Sequence, residues 1–523
     1  MARILVTEPL AEAGLDALRA AGHDVDVQIG LSAEALLGVM PGAQALIVRS
    51  ATQVTGEVIE AGRDLIVVGR AGTGVDNVDT AAATAKGVMV VNAPGSNSLS
   101  TAEHAMALLL SMARNIPQAS AALRDGRWEK SKWAGVELHG KTFGVLGIGP
   151  IGTLVAQRAH AFGMRLIAWD PWMAPDRFRL LGIERVELDE LFAQADFVTI
   201  HVQKTAETTG LIGKELLAKA KPGLRLVNAA RGGIIDEEAL AEAVRDGRVA
   251  GAAIDVFATE PTTESPLFEL DAVVATPHLA ASTAEAQDKA GVVVAQQILL
   301  ALAGEFVPFA VNVDAAEAPE NVRPFLPLAE RLGRLFAGIS GSMSSTLEIG
   351  YRGDLAAGDT RILKLAVLKG VLDSGAGEEP VSYVNAPQLA VDRGVTVTET
   401  STAESDEYVN LLSLRGADHA VAGTVTGPRN EPRIVMIDDH QVELPLVANL
   451  LVVRNDDRVG MMALVTAAVA EAGVNIADMR LGRSPGGSTA LAAITSDEPF
   501  PVELRDRLTD QPGILDVRIV NAV

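Results

Sequence analysis

The chain has 523 residues, 48% hydrophobic and 21% charged, a balance that builds buried cores and excludes a disordered polymer. Its formal net charge of −23 opposes nonspecific attraction to nucleic-acid phosphates or anionic lipid, so any anionic ligand requires a local basic pocket. With no cysteine, disulfides, thiolate metal sites and cysteine nucleophiles are excluded, and no metal centre is expected.

The length accommodates about three or four domains of ordinary size. The opening "MARILVTEPLAEAGL" passes from one arginine into a strand-like run and lacks the charged, long-apolar and small-residue parts of a signal peptide. The richest apolar stretch, "GVVVAQQILLALAGE", contains two glutamines and falls short of the roughly 18 apolar residues that span a bilayer. A cytoplasmic protein without a membrane or nucleic-acid partner is expected.

From the start, "RILVT", "ALIVRS", "LIVVGR" and "VMVVNA" alternate with alanine-rich segments of helical length, the βαβ rhythm of a parallel sheet. "LSTAEHAMALLLSMARN" then reads as a long helix bridging two domains. A second series follows, with "TFGVLG", "RLIAWD", "FVTIHV", "LRLVNAA", "AAIDVF" and "AVVATP" as six strands of a second doubly wound, Rossmann-like domain. The helix "AEAQDKAGVVVAQQILLALAGE" leads on to "VPFAVN", which returns the chain to the first domain. The acidic, proline-containing "VDAAEAPENVRPFLP" reads as a linker. Beyond it, the helix "RILKLAVLKGVLD" and the strands of "VTVTET", "AVAGTVTG" and "PRIVMIDDHQVELP" form an α+β unit. The last 75 or so residues read βαββαβ, the ferredoxin-like order. The expected division is 1–97 plus 283–312, 98–282, 313–445 and 446–523.

"TFGVLGIGPIGTLVAQRAHAFGMRLIAWD" sets Gly147, Gly149 and Gly152 in GxGxxG spacing between a strand and a helix. Such glycines permit a tight turn and close approach of a pyrophosphate, whose charge meets the helix N-terminus. Asp170 ends the next strand, where a carboxylate accepts hydrogen bonds from a ribose diol and repels a 2′-phosphate, which favours NAD over NADP. Two further loops follow strands, "NAARGGIIDEEAL" and "DVFATEPTTESPLF". With "VVATPHLAAST" they bring Arg231, Glu260 and His278 toward the crevice at the strands' C-terminal ends.

Through "GVLGIGPIG", "NAARGGIIDEEAL", "AAIDVFATEP" and "TPHLAAST", residues 1 to 312 resemble the D-2-hydroxyacid dehydrogenases. Through "IVRSAT", "VGRAGTGVDNVD" and "EHAMALLLSMARN" they are most similar to the branch acting on 3-phosphoglycerate, whose long form adds an intervening domain and a C-terminal ACT domain. The resemblance implies His278 as acid/base, Glu260 as its carboxylate partner and Arg231 as the cation on the substrate carboxylate. It also implies Asp255 facing the nicotinamide and Pro150, Ile151, Ala229 and Ala230 lining the cofactor. For the phosphorylated substrate it implicates Arg49, Ser50, Arg70, Gly74 and Asn97, with Trp128 and Lys130 reaching a neighbouring subunit of a homotetramer. The chemistry suits these roles, since oxidising an alcohol requires a base for the hydroxyl proton and an arginine fork matches a carboxylate.

For the C-terminal unit the resemblance implies an L-serine effector contacted by Asp457 and Asn475. Two departures from the family loop stand there: Val459 in place of a proline, and Asn455 where some relatives have tyrosine. The middle unit retains Arg433 and His440 without the denser basic cluster some relatives use for a second anionic effector. The reading is therefore NAD-dependent oxidation of 3-phospho-D-glycerate, the first step of phosphorylated serine synthesis, with serine feedback. The alternatives are a dehydrogenase for another 2-hydroxyacid and a non-catalytic sensor of NAD or amino acid.

Overall fold

The computed structural model describes residues 1–313, 319–341, 344–373, 381–405, 407–484 and 486–521. The first sheet is all parallel and built from β1 (Arg3–Val6), β2 (Asp24–Val27), β3 (Ala45–Val48), β4 (Val67–Arg70) and β5 (Met89–Val91), in the order β2-β1-β3-β4-β5. Four strands were expected; β2, "DVDV", is the fifth. It lies at the edge with no fully buried residue, so its alternating valines carry no continuous apolar run. By contrast every residue of β3, "ALIV", is buried, as a strand covered on both faces requires.

The second sheet contains β6 (Thr142–Leu146), β7 (Arg165–Trp169), β8 (Glu184–Arg185), β9 (Phe197–Ile200), β10 (Leu224–Asn228), β11 (Val249–Ile254) and β12 (Val273–Ala275), ordered β12-β11-β10-β9-β6-β7-β8 and parallel throughout. Six of the seven match the sequence reading; β8 is a two-residue, exposed edge strand with nothing apolar to announce it. The order reverses between β6 and β9, which are in register at Leu146↔Ile200. Loops leaving that switch point diverge, and the crevice between them is where doubly wound sheets receive ligands.

The helix Ser98–Ala113, which follows the first sheet in the chain, buries Thr101, Ala102, Ala105, Met106, Leu108, Leu109, Met112 and Ala113, its apolar side chains entering the second sheet's core. The three- and four-residue spacing puts them on one face, and each fully buried leucine contributes about 1.5–3 kcal/mol. The helix Ala284–Leu302 packs Ala290, Val294, Ala295 and Ile298 into the first sheet's core beside Ile4, Val6 and Val67. "VPFAVN" then pairs antiparallel with β5 through Val91↔Ala310, with Asn92 N–H donating to Phe309 O at 3.2 Å and Val311 N–H to Val90 O at 2.8 Å.

Residues 314–318 of the expected linker lie outside the described residues. Its last residues instead open a helix, Leu326–Ser340, whose Leu328, Leu332, Leu335, Phe336 and Ile339 are buried at helical spacing. With the helix Arg361–Asp373 it covers a mixed sheet of β13 (Thr346–Gly353), β14 (Thr396–Thr402), β15 (Asn410–Arg415), β16 (Ala420–Thr426), β17 (Glu431–Ile437) and β18 (His440–Pro445), ordered β14-β13-β15-β16-β17-β18. The last sheet comprises β19 (Asn449–Asp456), β20 (Asp478–Arg483), β21 (Thr489–Ser496) and β22 (Ile514–Asn521), ordered β20-β21-β19-β22 with helices Met461–Glu471 and Val502–Thr509, the expected ferredoxin-like arrangement. Among the described residues no helix is long and apolar enough to cross a membrane.

Candidate active site

The dinucleotide loop begins at Gly147, whose φ of 89° lies in the left-handed region and whose added Cβ would stand 2.9 Å from the His201 carbonyl carbon on the neighbouring strand end. A Cβ on Gly152 would sit 2.0 Å from the Gly147 oxygen, so both positions require glycine for packing reasons. Gly149 differs, because a Cβ there would meet nothing within 4 Å. It caps the helix Pro150–Ala161 without any side-chain cap, and Pro150 occupies the first turn, where its missing N–H costs nothing. The first amides of this helix, at Ile151 and Gly152, precede the bond from Thr153 N–H to Gly149 O at 2.9 Å, and with the helix dipole behind them they suit a pyrophosphate.

Asp170 follows β7. One of its oxygens accepts from Ile148 N–H at 2.9 Å and the other from Trp172 N–H at 3.0 Å, which ties the carboxylate to the glycine loop. On the far side of the switch point, burial holds the His201 pKa down to about 3, so this imidazole is neutral, 2.9 Å from the Thr199 hydroxyl.

The acid/base candidates meet as expected. His278 Nδ1 lies 2.6 Å from Glu260 Oε2, and Glu260 Oε1 accepts from Phe257 N–H at 2.8 Å. Burial acts to raise the Glu260 pKa, but its hydrogen bonds to His278 and Phe257 and the imidazole charge outweigh it and hold the carboxyl below its ordinary value. His278 is 42% exposed and adopts a φ of 54°, unusual for a side chain with a Cβ. Its own N–H donates to Asp255 O at 2.8 Å and Thr276 O at 3.0 Å, which fastens the strained residue to the end of β11.

Asp255, expected to face the nicotinamide, stands at the end of β11 with every carboxylate contact inside the chain. It is fully buried, and its oxygens accept from Thr276 Oγ1 at 2.6 Å, Leu279 N–H at 2.8 Å and Ala280 N–H at 2.9 Å, with His104 Nε2 at 3.2 Å. Burial works to raise its pKa, and those donors, His104 foremost, bring it below the ordinary value. A buried carboxylate so surrounded acts as an anchor for the loop that carries His278.

Arg231 reaches across from the second sheet to the first, its Nε donating to Asp76 Oδ2 at 3.1 Å and its Nη1 to Ala230 O at 2.7 Å. Gly74 lies directly beneath the guanidinium, since a Cβ there would be 2.0 Å from Nη2. The turn is shaped by buried Asn228, which accepts from Ala230 N–H at 3.1 Å and donates to Arg231 O at 3.0 Å; Ala229 is buried beside it.

On the opposite wall Arg70 ends β4 and Arg49 follows β3. Arg70 Nε is buried without a hydrogen-bond partner among the described residues. Burial and the neighbouring Arg231 charge push the Arg70 pKa down, with Arg49 adding to the repulsion against Asp76 and Glu8. Three guanidiniums thus crowd one cleft of a strongly acidic chain, an arrangement that an anion relieves. The Arg49–Thr52 turn is organised by Glu8, whose carboxylate accepts from the N–H groups of Arg49 at 2.8 Å, Ala51 at 3.2 Å and Thr52 at 2.9 Å; Ser50 is exposed within it. Asn97 stands at the start of the bridging helix, accepting from Thr73 Oγ1 at 2.8 Å.

Two family models match this chain: the D-isomer specific 2-hydroxyacid dehydrogenase NAD binding domain over residues 106–280, and the D-3-phosphoglycerate dehydrogenase intervening domain over residues 321–438. Relatives named D-3-phosphoglycerate dehydrogenase from Mycobacterium leprae and Mycobacterium tuberculosis strain H37Rv are 46% and 47% identical over 525 residues, covering 99% of this chain and of theirs. The chain belongs to the D-3-phosphoglycerate dehydrogenase family. It is an oxidoreductase whose second sheet is of the nicotinamide-dinucleotide-binding kind. A solved structure from Thermus thermophilus is 36% identical, with a TM-score of 0.54, and spans 59% of this chain and 99% of its own.

Trp128 and Lys130 are the two substrate candidates expected to reach a neighbouring subunit. Trp128 is 82% exposed and Lys130 is exposed near it in the chain, beyond the helix Ile116–Arg124. In the last sheet's loop, Asp457 lies 3.0 Å from Arg483 Nε, while Asn475 is exposed. Val459 is fully exposed, and Asn455 is buried, its Nδ2 donating to Asp456 O at 2.6 Å. In the third sheet Arg433 lies 3.6 Å from Glu431, and His440 is buried with Nε2 3.3 Å from Thr489 Oγ1 on the last sheet. The residues that sequence reading missed, Glu8, Asp76, His104, Asn228 and Thr276, all act by holding the residues it found.

Proposed function

We propose that the chain oxidises 3-phospho-D-glycerate to 3-phosphohydroxypyruvate with NAD, the first step of phosphorylated L-serine synthesis, in the cytoplasm. The observation that carries the substrate assignment is half-buried Arg70, whose buried Nε has no hydrogen-bond partner among the described residues and whose guanidinium feels the charges of both Arg231 and Arg49. A substrate with a carboxylate at one end and a phosphate at the other supplies anions for such a cleft. Arg231 would take the carboxylate and polarise the C2 oxygen, while Arg49, Ser50, Arg70, Gly74 and Asn97 would hold the phosphate.

With Nδ1–H donating to Glu260, His278 keeps a lone pair on Nε2 to accept the C2 hydroxyl proton. Glu260 fixes the ring and stabilises the imidazolium that forms. A nicotinamide dinucleotide, when bound, would supply the acceptor for the hydride lost from C2. Gly147, Gly149, Pro150, Ile151 and Gly152 would receive its pyrophosphate, Asp170 its adenosine ribose, and Ala229, Ala230 and the strand end at Asp255 would border the nicotinamide. Asp170 supports NAD over NADP, since a 2′-phosphate would meet its charge.

The chain divides in this reading into a substrate domain (1–97 plus 283–312), a dinucleotide domain (98–282), an intervening domain (313–445) and an ACT domain (446–523). Exposed Ile116 and Leu123 beside Trp128 support an interface that carries Trp128 and Lys130 into a partner's cleft within a homotetramer. Asp457 and Asn475 are the proposed L-serine contacts. The test is NADH formation from NAD and 3-phosphoglycerate, with and without L-serine. NADH formation that serine suppresses, with suppression lost in Asn475→Ala, is expected. An enzyme indifferent to serine would end the effector assignment, and no turnover would end the substrate assignment.

A further inference from the structure

His104 lies on the bridging helix Ser98–Ala113, outside the set of residues already given roles at the reacting atoms. Its Nε2 stands 3.2 Å from Asp255 Oδ1 and 3.3 Å from Thr276 Oγ1. Thr276 spends its hydroxyl proton on Asp255 Oδ1, at 2.6 Å, so both atoms facing the imidazole present lone pairs. Nε2 must therefore carry the hydrogen and donate. Asp255 passes that restraint on: its carboxylate holds the N–H groups of Leu279 and Ala280, and its carbonyl holds His278 N–H, which together fix His278 in its left-handed conformation.

Asn97, at the N-terminal cap of the same helix, accepts a hydrogen bond from Thr73 in the loop after Arg70. Six residues after Asn97 comes Glu103, 3.5 Å from Arg158 on the helix that opens at the dinucleotide loop. One rigid element thus touches the substrate wall, the dinucleotide helix and the acid/base loop.

We propose that His104 is a positioning residue: by donating to Asp255 and Thr276 it sets the reach of His278, and it couples that reach to the wall that holds the substrate. The proposal rests on the assignment of His278 as acid/base. A carboxylate with one donor fewer no longer dictates a single loop conformation, and sub-ångström displacement of a base from its proton lowers the rate of the proton step rather than the affinity for either ligand.

The experiment uses the full chain carrying His104→Leu, His104→Gln or Thr276→Val. Tryptophan quenching by NADH, favoured by Trp169 and Trp172 flanking Asp170, reads cofactor binding, and steady-state kinetics read the rest. For His104→Leu, kcat should fall about tenfold to a hundredfold, with the substrate KM and the NADH Kd within about threefold of the parent. His104→Gln, which keeps an N–H donor, should recover most of the loss. Substrate deuterated at C2 should show a larger isotope effect in His104→Leu, because the chemical step becomes more limiting. The proposal fails if His104→Leu keeps the parent kcat, or if His104→Gln is as damaged as His104→Leu. Should His104→Leu not fold, His104→Phe, which keeps a ring and lacks the donor, takes its place beside Thr276→Val: a kcat loss in His104→Phe with unchanged NADH binding supports the proposal, and a parent-like kcat refutes it. If the parent oxidises another 2-hydroxyacid and not 3-phosphoglycerate, the substrate reading falls while the same His104 comparison, made with that acid, decides this proposal. An active parent whose His278→Ala variant retains full kcat would remove the acid/base assignment and this proposal with it.

Discussion

At the C-terminal ends of β3 and β4 the first sheet presents side-chain cations, Arg49 and Arg70. At the end of β6 the second sheet presents backbone amides from the Gly147–Gly152 loop. Both sheets are parallel and each reverses strand order once, so the architecture provides a crevice in either case. The chemistry at the crest decides which anion enters. Guanidiniums crowded together suit a small, doubly charged substrate, while aligned amides suit a pyrophosphate that must lie close to the chain. Arg231 reaches from the second sheet to Asp76 of the first, and the His278–Glu260 pair stands on loops of the same second sheet, so the proposed reaction belongs where the two walls meet.

The largest expected effect separates chemistry from binding on the second wall. His278→Ala should lower kcat by about 10²–10⁴, the usual worth of a positioned acid/base, and leave NADH quenching of tryptophan fluorescence intact. Undiminished turnover would contradict the assignment.

Removing a cation from the first wall should act on the substrate alone. Arg70→Ala loses charge-assisted hydrogen bonds worth about 1.5–3 kcal/mol, or roughly tenfold to a hundredfold in kcat/KM for 3-phosphoglycerate, with the NADH Kd unchanged. Equal losses for D-glycerate and 3-phosphoglycerate would mean the phosphate sits elsewhere.

The glycines of the second wall sharpen the contrast within one loop. Gly152→Ala places a Cβ 2.0 Å from Gly147 O and should cost folding stability, lowering the melting temperature by several degrees. Gly149→Ala opens into free space, so its melting temperature should match the parent's while NAD binding weakens about tenfold. Differential scanning fluorimetry with and without NAD distinguishes the two.

The smallest effect concerns pH. The Glu260 carboxyl titrates lower in the folded chain than in the unfolded one, so its stabilisation is complete above the ordinary value near 4.5 and disappears as pH falls through the depressed value. Melting curves of the parent and Glu260→Gln should therefore differ above pH 4.5 and converge on acidification. A difference that grows toward low pH would contradict the direction of the shift.

What the sequence made legible was what a local pattern can carry. The strands β3, β6 and β9 are short apolar runs bounded by turns, and GxGxxG announces its own turn chemistry. The edge strands β2 and β8 escaped because exposure leaves them little hydrophobic signal. The helix Leu326–Ser340 was obscured by prolines read as linker, although Leu328, Leu332, Leu335 and Ile339 carried its period. At the site, Arg231, Glu260 and His278 were found because each sits on a polar loop after a strand. Asp76 and His104 were not, because Asp76 meets Arg231 across 155 residues and His104 meets Thr276 across 172, distances over which no spacing rule operates. Thr276 and Asn228 stood within quoted motifs, but only the fold reveals which way they point.

The measurement that bears most directly on two walls converging on a phosphorylated hydroxyacid is the ratio of kcat/KM for 3-phosphoglycerate to that for D-glycerate, taken in the parent and in Arg70→Ala. The account predicts a parent ratio well above tenfold that collapses toward one in the variant. A parent ratio near one, or a high ratio that survives the loss of Arg70, would contradict it.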